Sequence, residues 1–164
     1  MNEINALSEE AFVARFGFLF EHSPWIVGRA ARFRPFADID AMHAALMRVV
    51  TEAGEATQLA LLRAHPQLAD KVAIAEGLTR ESAAEQASAG LDRLSPDEFE
   101  TFHLLNRTYA ERFGFPFIIC VRLTDKAGIL AAMAERICHT PEEERVMAMD
   151  EVAKIVRLRL EDAL

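Results

Sequence analysis

The amino-acid sequence predicts an all-α protein, and three observations support this fold class. Helix N-caps recur along the chain, apolar residues between them follow helical spacing, and one segment alone has the composition of a β-strand. A single strand has no partner with which to form a sheet, so helices have to supply the core. We expect one compact domain over residues 1–164, with seven or eight short helices and one extended apolar segment near residues 115–122.

The helix starts are marked by residues that can accept hydrogen bonds from the first free backbone N–H groups. Ser95 and Thr140 begin the sequences SPDE and TPEE, in which Pro takes the first helical position and Glu the third. The remaining predicted caps are Ser8, Ser23, Asp38 and Thr79.

The apolar residues between these caps recur every three or four positions, as on one face of a helix. One predicted helix carries Phe99, Phe102, Leu105, Tyr109 and Phe113, and another carries Ile129, Leu130, Met133 and Ile137. The loops between the helices are too short to link separate domains.

The extended segment has the sequence FPFIICVR, from Phe115 to Arg122. It is apolar, rich in residues that favour strands, and has Pro116 near its start. Its peptide groups need hydrogen-bond partners if they are buried. Neighbouring helix ends could supply these partners, or a polar ligand could.

The composition is that of a globular protein without a nucleic-acid surface. Hydrophobic residues make up 51% of the chain and charged residues 27%, which excludes a disordered chain. The formal net charge of −8 would repel a nucleic-acid backbone, and no basic cluster offsets it. We therefore expect no nucleic-acid partner.

The cysteines and the N-terminal sequence indicate a cytoplasmic protein without membrane contact. Cys120 and Cys138 are too few for a disulfide framework and lack Cys-x-x-Cys spacing. No apolar run approaches the roughly 20 residues of a membrane span. The N-terminal sequence MNEINALSEE is acidic, unlike a secretory or transit peptide.

His65 precedes Pro66 at the end of a helical run that includes Leu59 and Leu62. The residue before a Pro is disfavoured in the α region, so the helix should end near residue 64. A helix C-terminus favours the imidazolium form of a side chain that already titrates near neutrality. The simpler interpretation is a C-capping His, and the alternative is a functional titratable group.

The sequence TRESAAEQ places Ser82, Glu85 and Gln86 on one face of a helix capped by Thr79. A hydroxyl, a carboxylate and an amide then point the same way, as a polar binding site requires. A solvated face of a surface helix is the simpler alternative.

Arg159 falls on the apolar stripe of the last helix, seven residues after Val152. A buried Arg needs a carboxylate partner or an anionic ligand. The alternative is an Arg that extends its charge to solvent near the helix end.

Other candidate motifs are weaker. The five His residues lack the spacing of a metal site, and the chain has no nucleophile elbow, phosphate loop or dinucleotide fingerprint. His22 and His43 are interpreted as structural or exposed residues. The sequence PEEER at 141–145 is most simply a charged helix start.

Five segments together resemble the 2-oxo-4-hydroxy-4-carboxy-5-ureidoimidazoline (OHCU) decarboxylases of urate breakdown. They are FEHSPWIV (20–27), RAHPQLA (63–69), ESAAEQASAGLDRLSPDEF (81–99), LNRTYAERFGFPFIICVR (105–122) and LRL (158–160). The resemblance extends in the same order from about Ser8 to Leu160. HPxLA alone is weakly specific, but with EQxxAGL and FGFPFIICVR at these separations the combination is highly specific.

The resemblance implies an all-helical homodimer that needs neither a metal nor an organic cofactor. Such a carboxy-lyase converts the unstable product of 5-hydroxyisourate hydrolysis into (S)-allantoin. No fused transthyretin-like hydrolase is present, and the terminal DAL is not a peroxisomal address, so we expect a bacterial-type cytosolic enzyme. Many family members have Gly where this chain has Asp70, a departure expected to alter the loop but not the site.

The resemblance also implies roles for individual residues. It makes His65 the acid–base catalyst, with Glu85 and Arg159 orienting the substrate. The implied substrate-binding residues are Pro66, Ser82, Gln86, Phe117, Ile118, Ile119, Cys120 and Val121. His65 should then point at Glu85 and Arg159, away from bulk water.

Two other functions remain open on the sequence. Short amphipathic helices and an acidic surface would also suit a non-catalytic helical interaction module, such as a partner subunit for other ureide-pathway enzymes. A sibling enzyme acting on a related ureido acid would keep the same polar residues and change only the pocket size. Convergence of His65, Glu85 and Arg159 on one small ligand would distinguish an enzyme from a module.

Overall fold

All regular secondary structure in the described part of the chain is helical, which confirms the all-α prediction. The structure is a computed structural model and describes residues 1–69 and 78–164. The α-helices in these ranges are Asn2–Asn5 (α1), Glu9–Phe16 (α2), Pro24–Ala30 (α3), Ile39–Glu52 (α4), Glu55–Ala64 (α5), Arg80–Ser88 (α6), Pro96–Phe113 (α7), Lys126–Arg136 (α8) and Pro141–Asp162 (α9). Short 3₁₀ turns lie at Gly17–Leu19, Ala31–Phe33 and Val121–Leu123. Asp70 lies outside the described residues.

The nine α-helices of the described ranges differ in number and length from the seven or eight short ones expected. Helix α1 has four residues and no side-chain cap, so no N-cap motif in the sequence indicates it. Helices α7 and α9 have 18 and 22 residues, because no Gly or Pro interrupts them after the first position. None of the described helices is long and apolar enough to cross a membrane.

The predicted caps explain where most helices begin. Ser95 and Glu98 exchange side chain to backbone hydrogen bonds, as do Thr140 and Glu143. Ser23 makes no side-chain cap, and α3 instead begins with Pro24, whose ring fixes a helical φ. The side chains of Ser8, Asp38 and Thr79 accept from the backbone N–H three residues later. Each such cap contributes about 1 kcal/mol.

The chain divides into two compact units whose boundary passes through helices α5 and α9. The first unit comprises Met1–Leu61 and Ala153–Leu164. In this unit α3 packs against both α2 and α4, around side chains that are fully excluded from solvent. These include Phe12, Phe16, Ile26, Val27, Met42 and Leu46.

The second unit comprises Leu62–Val152 and has an aromatic core. The ring of Tyr109 lies edge-on to Phe117, with centroids 5.2 Å apart, and also contacts Phe113 and Phe115. Burying each large apolar side chain contributes about 1.5–3 kcal/mol. The core therefore packs directly around the start of the extended segment.

The extended segment follows the C-terminal end of α7, as predicted. Gly114 ends this helix in the left-handed conformation with φ of 75°, which Gly adopts without steric cost. Residues 116–120 have no regular secondary structure, and a 3₁₀ turn begins at Val121. The segment thus connects the packed aromatic core to helix α8.

Candidate active site

The second unit contains three of the predicted site elements. The end of α5 carries His65, α6 carries the SAAEQ face, and the 3₁₀ turn Val121–Leu123 at the end of the extended segment packs against α6. Arg159 belongs to the first unit and has buried partners there. The expectation that His65 points at Glu85 and Arg159 stays a prediction.

His65 lies directly after the last residue of α5, as the His–Pro sequence predicts. Its backbone N–H donates to Leu62 O at 3.2 Å, which closes the last helical turn. The half-buried residue lies in a cleft of about 360 Å³ that Arg63, Gln67 and the chain around Gly114 also line. Arg63 Nε donates to Gly114 O at 3.0 Å and joins two walls of this cleft. The position of His65 is compatible with both interpretations, a C-capping residue of α5 and a functional titratable group.

The chain after His65 and Pro66 is held by two buried amide side chains. Gln86 Oε1 accepts from Ala69 N–H at 3.0 Å, and Gln86 Nε2 donates to Gln67 O at 3.4 Å. Asn106 Nδ2 donates to Leu68 O at 2.8 Å. Ala69 has φ of 57°, a conformation that costs energy for a residue with a side chain. These bonds therefore hold a strained loop, and both ends of the Gln86 amide contribute to that task.

The polar face of α6 points into the protein, so the solvated-face interpretation is wrong. Ser82 and Gln86 are 3% and 5% exposed, and Glu85 is half-buried. Ala83 and Ala84 are the exposed residues of this stretch. A helix with polar residues inside and alanines outside is unusual for packing alone, and its buried polar groups need specific partners.

The five predicted binding residues of the extended segment differ in exposure. Phe117 and Ile118 expose no surface, and Cys120 and Val121 expose 2% and 6%. Ile119 is half-buried. A ligand that reaches this segment would therefore contact mainly Ile119.

Cys120 is a buried free thiol next to two carboxylates. Burial raises the pKa of its thiol, and the negative charges of Glu151 and Glu85 raise it further. The thiol is therefore protonated at neutral pH and is a poor nucleophile. Glu85 lies on α6, the helix that packs against the 3₁₀ turn at the end of the extended segment.

A buried polar cluster contacts the extended segment through Arg136. Glu144 is fully buried, and its Oε1 accepts from Arg136 Nε at 2.9 Å and from the Tyr109 hydroxyl. Its Oε2 lies 2.8 Å from His139 Nδ1; since a carboxylate only accepts, this nitrogen carries the proton. Arg136 also donates to Ile118 O at 2.8 Å.

Tyr109, the single tyrosine of the chain, should not ionise before the protein unfolds. Burial and the hydrogen bond to Glu144 raise the pKa of this phenol well above 10. The contribution of Tyr109 to stability should then be constant below about pH 10 and fall above it, because only the unfolded chain releases the phenolic proton there. In an alkaline titration, phenolate absorbance should rise together with the loss of helical circular dichroism. Phenolate formation near pH 10 with the dichroism intact would contradict this placement.

Arg159 is buried, which excludes the interpretation of a charge extended to solvent. It is 3% exposed, and its Nη2 lies 3.4 Å from Oε1 of Glu21, which is itself 4% exposed. Its Nη1 lies 3.3 Å from Phe18 O and 3.5 Å from Leu19 O. Glu21 is therefore a carboxylate partner of Arg159, one of the two kinds of partner that the sequence left open, and these contacts orient the guanidinium plane.

Among the described residues, four buried charged side chains were not identified from the sequence. They are Glu21, Arg136, Glu144 and Glu151. The PEEER segment is thus more than a charged helix start, because its Glu144 is buried. A signal existed for Glu144 and Glu151: both fall on the Ala148, Val152 and Ile155 stripe of α9 that identified Arg159. Glu21 carries no such periodic signal.

The sequence predicts no metal site, because its five His residues lack the spacing of metal ligands. In residues 1–69 and 78–164, no group of three or more His, Cys, Asp or Glu side chains is placed to hold a metal ion. His43 Nε2 lies 2.9 Å from Ala153 O, a structural contact, and His22 is exposed.

Comparisons with solved structures find the same fold. The crystal structure of an (S)-allantoin synthase superposes with a TM-score of 0.80 at 28% identity, covering 99% of this chain and 53% of that chain. A crystal structure of an OHCU decarboxylase in the presence of (S)-allantoin superposes with a TM-score of 0.70 at 23% identity, covering 95% and 97% of the two chains. The second likeness concerns the fold alone.

Known proteins are similar in sequence to nearly the whole of this chain. A 2-oxo-4-hydroxy-4-carboxy-5-ureidoimidazoline decarboxylase of Haloferax volcanii is 45% identical over 160 residues, which are 98% of this chain and 93% of the relative. A protein of the same name from Amia calva is 39% identical over 164 residues, which are 100% of this chain and 94% of the relative. The family described as OHCU decarboxylase matches residues 5–161. The chain therefore belongs to the OHCU decarboxylase family.

Proposed function

We propose that the protein decarboxylates OHCU to (S)-allantoin in urate breakdown, as a carboxy-lyase that uses only its own side chains. The observation that carries this proposal is the family match over residues 5–161. Full-length relatives bear the name of this activity. The chain carries His65, Glu85 and Arg159, the residues to which the family resemblance assigns the acid–base and orienting roles.

The reaction explains why no electron sink is needed from the protein. When the bond between the ring carbon and the carboxylate breaks, CO₂ leaves, the electron pair forms a C=C bond to the neighbouring ring carbon, and the nitrogen of the former C=N takes up a proton from solvent. The hydroxyl carbon then becomes a carbonyl as its O–H proton is lost, and the neighbouring carbon gains a proton. The protein has to orient the carboxylate out of the ring plane and deliver that proton to one face.

The proposed roles follow from the chemistry of the side chains. His65 can take the hydroxyl proton and return one to carbon, because imidazole exchanges protons near neutral pH. Glu85 can accept hydrogen bonds from the ureido N–H groups, and Arg159 offers a planar pair of donors to substrate oxygens. Ser82, Gln86 and the Ile119 peptide group supply further donors and acceptors. Pro66 fixes the chain next to His65.

A panel of three substrates distinguishes OHCU decarboxylation from a reaction on a related ureido acid. Freshly generated OHCU, ureidoglycolate and allantoate would be offered at equal concentration, and CO₂ release and allantoin formation measured. The proposal expects turnover of OHCU alone. Faster turnover of either ureido acid would assign the protein a related reaction, and no turnover of any would support a non-catalytic module.

We also propose that the protein is a cytoplasmic homodimer, as the family resemblance implies. Light scattering should give a molar mass of twice 18.3 kDa, and cell fractionation should recover the protein with cytoplasmic markers. A mass of 18.3 kDa at micromolar concentration would contradict the dimer.

We further propose that residues 1–164 unfold as one domain. The single tryptophan, Trp25, reports on the first unit, and the single tyrosine, Tyr109, reports on the second. Because the unit boundary lies inside α5 and α9, neither unit can unfold without disrupting helices of the other. Thermal transitions followed by Trp25 fluorescence and Tyr109 absorbance should coincide. Two separate midpoints would indicate two domains.

A further inference from the structure

Two buried charged side chains hold the peptide groups on either side of Ile119. Arg136 Nη1 on α8 donates to Ile118 O at 2.8 Å. Glu151 Oε2 on α9 accepts from Cys120 N–H at 2.7 Å. An extended segment without a sheet partner thus finds its hydrogen bonds on the last two helices, and these bonds fix the backbone immediately before and after Ile119.

Burying these charges is costly, and the surroundings show how Arg136 is compensated. Arg136 is 5% exposed and lies beside the fully buried Glu144. Its guanidinium lies 4.4 Å from the ring centroid of Phe117, a favourable cation–π distance. Glu151 is 7% exposed. A neutral side chain could make either of these hydrogen bonds at lower desolvation cost. The use of Arg136 and Glu151 instead indicates that the backbone at Ile119 has to be held in a fixed position.

Each of the two anchored peptide groups leaves one polar atom available to a ligand, the N–H of Ile119 in the first and the C=O of Ile119 in the second. Within the described ranges, neither the N–H nor the C=O of Ile119 has a hydrogen-bond partner. Ile119 is also the half-buried residue among the nearly inaccessible Phe117, Ile118, Cys120 and Val121. Helix α6, which buries Ser82 and Gln86, packs against the 3₁₀ turn that directly follows Cys120.

We propose that Arg136 and Glu151 are positioning residues that orient the N–H and the C=O of Ile119 toward the acceptors and donors of the substrate. This inference rests on the proposed function, because it assigns these two backbone groups to OHCU binding. Neither side chain touches the reacting atoms. Both act through the backbone, so their loss should affect substrate binding more than the chemical step.

Paired variants of Glu151 provide the main test. Glu151→Gln keeps an oxygen that can accept from Cys120 N–H, and it should leave KM within about threefold of wild type. Glu151→Leu removes the acceptor and should raise KM at least tenfold while kcat falls less than threefold. An unchanged KM in a folded Glu151→Leu protein, or an equal rise in Glu151→Gln, would overturn the proposal.

Two further variants separate positioning from a general loss of stability. Arg136→Lys keeps the charge but cannot span both Glu144 and Ile118 O, so KM should rise at least fivefold. Tyr109→Phe removes a hydrogen bond to Glu144 while leaving both anchors in place. It should lower the Tm yet keep KM within twofold, and a rise in KM that follows Tm across all variants would overturn the proposal.

Hydrogen exchange tests the anchors without substrate. The amide of Cys120 should exchange at least tenfold faster in Glu151→Leu than in wild type, whereas exchange in the α2 amides should not change. This result would support the anchors even if wild-type protein lacked decarboxylase activity, in which case only the proposed function would fail. Equal exchange at Cys120 in the two proteins would overturn the anchors themselves.

Discussion

Replacing His65 by Asn is expected to lower enzyme-dependent formation of (S)-allantoin by about 10²- to 10⁴-fold, the usual contribution of a general acid–base residue. Asn can preserve hydrogen bonding at the end of α5 but cannot exchange a proton near neutral pH. The loss should therefore appear in kcat, with little change in Tm. The measurement is optical activity during turnover of freshly generated OHCU.

His22→Asn is the matched control for this experiment. His22 is exposed and has φ of 49°, a left-handed conformation that Asn tolerates well. The control should retain wild-type activity and stability. If His65→Asn also formed (S)-allantoin at the wild-type rate, His65 would have no part in the chemistry.

Replacing Glu21 by Leu should destabilise the protein by about 3–5 kcal/mol, the cost of leaving a buried charge without its partner. Arg159 is 3% exposed, so solvent cannot replace the lost carboxylate. Urea unfolding gives the measurement. The effect should exceed that of Arg157→Met, because Arg157 forms its ion pairs with Asp40 and Glu161 at the surface, where such pairs contribute about 1 kcal/mol or less.

The double variant Glu21→Leu, Arg159→Met separates the structural role of Arg159 from its proposed role in binding. Removing both charges eliminates the desolvation cost, so more than half of the lost stability should return. Activity should remain at least a hundredfold below wild type, because the guanidinium donors are gone. Recovery of both stability and kcat/KM would assign Arg159 a structural role alone.

The helices were largely predictable because their signals are local. The capping box at Ser95 depends on residues within one turn, and all of them are visible in the sequence. The register of Arg159 with Val152 indicated a place on the buried stripe, although an Arg that extends its charge to solvent stayed open as an alternative. Helix α1 was not predictable, since it has neither a side-chain cap nor a second turn.

The candidate site was less predictable because its contacts join distant parts of the chain. Gln86 bonds to the backbone at Ala69, which has a positive φ, and no sequence signal indicates that conformation. The pairing of Arg159 with Glu21 spans 138 residues. The register of α9 could have identified Glu144 and Glu151, but their buried partners could not be deduced from spacing.

A coupled assay that starts from urate tests the proposed activity most directly. Urate oxidase and hydroxyisourate hydrolase would generate OHCU continuously, and circular dichroism would follow the allantoin formed with and without this protein. We predict rapid accumulation of (S)-allantoin only when the protein is present. Racemic allantoin appearing at the same rate with and without the protein would contradict the proposed decarboxylase activity.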